Sequence, residues 1–147
     1  MTRQKVQWQA GFTLMELMVA MAVSMIVLAV GTPSFLAWLP TLRLSSAARQ
    51  IATDLQVARM RAISQNASYT VSFNAGAGTY AYGSDSRDIG QQYPGISIAS
   101  VSPSNPQFSP RGTASGSVTI TLNNGTTSKL VCVKPVGRVN IADSSCT

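Results

Sequence analysis

Few side chains in this sequence are of types that do chemistry, and their spacing limits what that chemistry can be. There is no histidine, which removes the commonest general base and the commonest zinc ligand. Five carboxylates and two cysteines remain. Asp85 and Asp88 are close in sequence, but they stand in a Ser/Gly/Arg stretch with no third ligand nearby and read as solvated loop charges. Cys132 and Cys146 do not form a C-x-x-C, so a redox couple is the weaker reading of the pair. The patterns G-x-x-x-x-G-K-[ST], H-E-x-x-H and G-x-S-x-G are absent. This inventory speaks against an enzyme and implies no cofactor and no metal. Glu16 stands apart, because it is a carboxylate inside an apolar run. Such a group costs ~2.5–3.5 kcal/mol on membrane-insertion scales and usually has a partner.

The elements that must position these residues differ sharply along the chain. Charged residues make up 11% of the sequence, less than half the usual ~25% of a soluble domain. The deficit is local: twenty-six residues between Glu16 and Arg43 carry no charge. Residues 1–11, MTRQKVQWQAG, are polar and basic, with Arg3 and Lys5. Then Phe12 to Val30 is a nineteen-residue apolar stretch broken only by Thr13, Glu16 and Ser24. As a helix rising 1.5 Å per residue it spans most of a bilayer core of ~30 Å. The basic flank stays cytoplasmic and the remainder is exported. A cleaved secretory signal is the bland alternative. Against it stand the length of the run, the carboxylate in its first turns, and its continuation through Phe35, Leu36, Trp38 and Leu39. A plain single-span anchor leaves Glu16 unexplained.

Gly11-Phe12-Thr13-Leu14-Met15-Glu16, after a short basic leader and before an unbroken apolar helix, resembles the class III signal of type IV pilins and pseudopilins. The resemblance implies cleavage after Gly11 by a prepilin peptidase and N-methylation of the new terminus at Phe12. It implies that Glu16 pairs with the Phe12 ammonium of a neighbouring subunit during assembly, which supplies the partner a buried carboxylate needs. Pro33 matches the helix-interrupting proline often found in pilins, and Pro40 marks a second expected bend.

Beyond Pro40, Leu44, Ala48, Ile51, Leu55, Ala58 and Ala62 recur at three- and four-residue spacing, with Ile63 adjoining. Arg43, Arg49, Gln50, Asp54, Arg59 and Arg61 mostly fall off that stripe. One long helix is expected from Phe12 to about Asn66, apolar all round in its first half and amphipathic in its second. Strands follow at 68–73, 79–82, 96–101, 117–122, 129–133 and 136–141, with turns at 74–78 and 123–125 and a loop over 83–95. Phe108 is expected to point inward from a Pro-punctuated stretch. The fold class is α+β: a long N-terminal helix packed on an antiparallel sheet. Phe108-Ser-Pro-Arg-Gly112 and the closing Gly137-Arg138-Val139-x-Ile141 are similar to the GspH/FimT-type minor pilins and pseudopilins, whose sheet packs on the C-terminal half of the helix.

The organisation expected is therefore a prepilin leader over 1–11, a transmembrane and filament-core helix over 12–40, and a periplasmic head over 41–147. In an exported head the even cysteine pair Cys132 and Cys146 reads as a disulfide rather than two free thiols. Closing a loop of ~15 residues contributes roughly 3 kcal/mol in the chain-entropy model. The chain carries +6; removing the leader leaves nine basic side chains against five acidic, a net +4. Lys129, Lys134 and Arg138 are the candidate contacts to DNA, since some FimT-type proteins are DNA receptors with a G-R-x-R stretch. Here that stretch reads Gly137-Arg138-Val139-Asn140 and lacks its second arginine, so DNA is not favoured. The expected partners are the inner membrane, a prepilin peptidase, and other major and minor pilins or pseudopilins in a helical filament.

Overall fold

The computed structural model describes residues 11–146, without the side chains of residues 30–34; the rest of the basic leader, with Arg3 and Lys5, lies outside the described residues. The chain divides between Ala37 and Trp38 into two compact units. Helix α1, Leu14–Ser64, is the first element. Thr13 caps it: its hydroxyl accepts from the Glu16 N–H at 3.2 Å, and its carbonyl accepts from Leu17 N–H at 3.1 Å. Pro33 and Pro40 do not end the helix. Each proline removes one N–H, and the turns on both sides continue.

The expected end near Asn66 falls at Ser64, and Asn66 belongs to the cap. Its φ is 48°, its N–H donates to Ile63 O at 3.3 Å, and Ala67 N–H donates to Ala62 O at 3.2 Å. This double closure with Asn in the left-handed position is a Schellman cap.

The stripe Leu44, Ala48, Ile51, Leu55, Ala58 and Ala62 is buried, together with Ala47. Ile63 is not part of it and is 48% exposed. What covers the stripe is two sheets, not one. Strands β1 (Tyr69–Asn74), β2 (Thr79–Tyr82), β3 (Asp85–Asp88) and β5 (Gln107–Phe108) form an antiparallel sheet in the order β3-β2-β1-β5. Strands β4 (Ser97–Ser102), β6 (Val118–Asn123), β7 (Ser128–Val133) and β8 (Val139–Ala142) form the second, in the order β4-β6-β7-β8. The segment between β4 and β6 carries Pro103, Pro106 and Pro110, which cannot donate to a ladder. The only strand there is Gln107–Phe108, which pairs with β1 of the first sheet, and an isolated bridge joins Phe108 to Ala114. Phe108 is fully buried.

The expected loop over 83–95 is mostly ordered. Gly83-Ser84 is a two-residue hairpin turn, with Tyr82 opposite Asp85 across it. Asp88 then caps the short helix α2, Ile89–Gln92, accepting from Gln91 N–H at 3.0 Å. Residues from α1, α2 and both sheets meet in one apolar core, including Ile51, Leu55, Tyr80, Ile89, Ile98, Phe108, Ile120, Leu122 and Val131. Each fully buried aliphatic or Phe side chain there stabilises by ~1.5–3 kcal/mol.

Candidate functional site

Among the described residues, the N-terminal end of α1 presents apolar side chains that stay exposed. Phe12 is 81% exposed, and Leu14, Met18, Ile26 and Leu28 are all exposed by more than half. Glu16 lies in the first turn of α1 and its side chain is exposed. A carboxylate there also faces the positive end of the helix dipole. Glu16 has no ion pair among the described residues. Among the described residues no helix is long and apolar enough to cross a membrane. The apolar part of α1 whose side chains are described, Leu14 to Ala29, is about 24 Å long.

In the head, the carboxylate that matters most to the fold is Asp54, read from sequence as lying off the stripe. It is 4% exposed and faces β2 and β3. The Tyr80 hydroxyl donates to its Oδ2 at 2.5 Å, the Tyr82 hydroxyl to Oδ1 at 3.4 Å, and Gln50 Nε2 to both oxygens at 3.2 Å. Arg87 Nε lies 2.9 Å from Oδ2. A buried carboxylate is tolerable only when so paired. Burial, and then the bond to Asp54, push the Tyr80 hydroxyl well above the usual tyrosine range. Arg87 is likewise held more strongly protonated, first by Tyr82 and then by Asp54.

The signal for Asp54 is present in the spacing. It follows Ile51 by three residues and precedes Ala58 by four, which places it on the buried face.

Asp85 and Asp88 are not loop charges. Asp85 opens β3 and accepts from Arg61 Nη2 at 2.8 Å, while Asp88 closes β3 and caps α2. Arg61 also bonds the Tyr69 hydroxyl at 3.1 Å and lies 5.4 Å from the centre of the Tyr82 ring. No group of three or more His, Cys, Asp or Glu among the described residues could hold a metal ion.

The three basic candidates are only partly brought together. Lys129 stands near the start of β7 and pairs with Asp143. Lys134 follows the other end of β7, about 17 Å along the strand. Lys134 and Arg138 are joined through the backbone, Lys134 N–H donating to Arg138 O at 2.8 Å. The expected pairing of cysteines is present: Cys132 and Cys146 form a disulfide with Cα atoms 5.6 Å apart.

Arg138 belongs to a feature that sequence reasoning treated only as a motif. Ser109-Pro110-Arg111-Gly112 and Lys134-Pro135-Val136-Gly137 are two turns of one design. In each, the glycine N–H donates to the first carbonyl at 2.8 Å, and the first residue's N–H donates to the residue after the glycine at 2.8 Å. Proline at the second position and glycine at the fourth suit this geometry.

The turns lie against each other, with Ala114 N–H donating to Pro135 O at 2.9 Å. Gly112 and Gly137 have φ of 78° and 79°, and a Cβ on Gly137 would fall 1.9 Å from Gly112 O. Arg59 Nε donates to that same carbonyl at 2.8 Å. Beside this junction runs an open groove of about 620 Å³, lined among others by Arg59, Met60, Ile63, Val136, Arg138 and Asn140.

Comparison with known proteins agrees with this architecture. The family described as type II transport protein GspH matches residues 47–137, more than half of the chain. That span starts on the buried stripe of α1 and ends at Gly137. The prokaryotic N-terminal methylation motif matches residues 9–32. Two crystal forms of the type IV minor pilin FimU of Pseudomonas aeruginosa PAO1 are similar in fold. One has 19% identity and a TM-score of 0.58 over 67% of this chain and 87% of that one. The other has 18% identity and a TM-score of 0.56 over 67% and 92%. No curated protein matches the chain. With an N-terminal methylation motif, a long helix buried against antiparallel sheets and a matching head, the chain belongs to the GspH family and is a pilin of the GspH/FimT type.

Proposed function

We propose that the protein is a minor subunit of a helical filament, either a type IV pilus or the pseudopilus of a type II secretion system, which it helps to initiate or cap. Pilins of this family are structural proteins, and the methylation motif implies peptidase processing and assembly with other pilins. The observation that carries the reading is the chemistry of α1. Its first turns expose Leu14, Met15, Leu17 and Met18 around a single carboxylate, Glu16, while its last turns are the core of a folded head. Exposed apolar surface on this scale needs lipid or other helices around it.

In this reading, residues 12–40 hold the precursor in the inner membrane as a single span with the head, 41–147, in the periplasm. Prepilin peptidase cuts between Gly11 and Phe12, and Phe12 is methylated. On assembly the helix leaves the bilayer for the filament core. Apolar packing supplies cohesion, and Glu16 paired with a neighbour's Phe12 ammonium supplies register. DNA is not proposed as a ligand, because Lys129 is already paired and stands apart from Lys134 and Arg138.

Intact-mass spectrometry of the membrane-extracted protein tests the reading. A chain starting at methylated Phe12 is the expected product. A chain starting beyond residue 31 identifies an ordinary signal peptide and ends the proposal.

A further inference from the structure

The groove beside the paired turns has chemistry that a purely cohesive helix leaves unused. Its apolar side chains are open to solvent: Met60 is 68%, Val136 66% and Ile63 48% exposed. Its charge is of one sign, from Arg59 and Arg138, and no carboxylate lines it. The carboxylates of the head are engaged elsewhere: Asp54 with Arg87, Asp85 with Arg61, Asp143 with Lys129, and Asp88 as the cap of α2. Arg59 and Arg138 thus have no ion-pair partner among the described residues. Arg59 is also held in place, since its Nε is bonded to Gly112 O while Nη1 and Nη2 make no hydrogen bond among the described residues. A guanidinium fixed at one edge and free at the other loses little freedom on meeting a carboxylate.

We infer that this groove docks an acidic segment of another protein subunit, one that sets one or two carboxylates among aliphatic side chains. The carboxylates meet Arg59 and Arg138, and the aliphatic groups cover Met60, Ile63 and Val136. Arginine and methionine are among the residue types enriched in such interfaces. The inference rests on the filament reading in one respect, that a subunit has neighbours. Nucleic acid fits the same surface less well. No aromatic ring lines the groove to stack a base, and two cations are few beside the six to ten phosphate contacts typical of duplex binders.

The test uses the full chain in detergent micelles and fluorescence anisotropy. The probe is a short fluorescein-labelled peptide with two glutamates set between leucines, alongside its lysine-for-glutamate counterpart and a labelled DNA duplex. The expected result is binding of the glutamate peptide alone, weakened about tenfold or more by Arg138→Gln and by Met60→Asp. Both positions are exposed, so the fold should survive, and circular dichroism checks that it does. Absence of glutamate-peptide binding overturns the inference. So does equal binding by wild type and both variants, or tighter DNA binding that Arg138→Gln abolishes. The filament reading is scored separately, by recovery of the wild-type chain in sheared filaments from cells. Loss of that recovery with peptide binding intact sinks the filament reading and leaves the groove standing.

Discussion

The hydroxyl of Tyr80 and the carboxylate of Asp54 lie 2.5 Å apart, one on β2 and the other on α1, and both residues are buried. The contact joins the helix to the first sheet at a point where every neighbour is apolar or already bonded. Removing Asp54 therefore leaves the buried Tyr80 hydroxyl without its acceptor and Arg87 without its ion pair, whereas removing Tyr80 leaves Asp54 with Gln50, Tyr82 and Arg87.

Asp54→Ala should destabilise the head by about 3 kcal/mol. That is the low end for breaking a buried pair, because Arg87 keeps some access to water. Asp54→Asn keeps an acceptor for Tyr80 and should cost less. Urea unfolding monitored by circular dichroism measures both, and equal stability of the alanine variant and wild type would refute the argument.

The same pair sets a pH dependence. Tyr80 is held protonated in the fold above its ordinary value, so its stabilising effect is complete below ~pH 10, where an unfolded tyrosine titrates, and fades as pH rises through the higher folded value. Wild type should lose stability above ~pH 10 more steeply than Tyr80→Phe. Parallel curves for the two proteins would show that Tyr80 is not the group responsible.

Gly137→Ala should be far more damaging than its size suggests. The added methyl would sit 1.9 Å from the Gly112 carbonyl, and the backbone there has φ of 79°. The strain of the left-handed conformation alone is ~1–2 kcal/mol, and the clash adds to it. Gly116→Ala, with nothing within 4 Å, is the control and should stay within ~0.5 kcal/mol of wild type. Matched melting temperatures for the two variants would contradict the packing of the twin turns.

Glu16→Leu should insert and be processed normally, yet join filaments poorly. Leucine relieves the insertion cost of the carboxylate and, in the proposed pairing, would remove the partner for a neighbour's terminus. Quantifying the variant in sheared filaments, beside its processed pool in the membrane, separates the two steps. Normal incorporation would remove the pairing argument.

Much of the fold was legible because its pattern is local. Leu44 to Ala62 repeat at helical spacing and are buried together, and Val118, Ile120 and Leu122 alternate and are buried on one face. What stayed hidden depends on distant partners. The division into two sheets turns on where Gln107–Phe108 pairs, which no window of sequence contains. Arg59 gave no sign that it would meet a carbonyl fifty-three residues away.

Two signals were readable and pass unnoticed beside stronger ones. Gly83-Ser84 between Tyr82 and Asp85 is hairpin chemistry, yet the glycines and prolines around it suggest a loop. Asp54 fits the buried spacing, but its charge argues the other way until Tyr80, Tyr82 and Arg87 arrive from strands to meet it.

The burial of one stripe of α1 from Leu44 to Ala62 has a mechanical consequence. A force applied along the axis of this part of α1 acts on the helix stretch that both sheets pack against. To extract it, Leu44, Ile51, Leu55 and Ala62 must slide past their neighbours together, because they lie in one row along the direction of pull. Contacts loaded in parallel resist as a group, whereas contacts peeled from an edge yield one after another. Pulled along that axis, the head is loaded in shear rather than peeled.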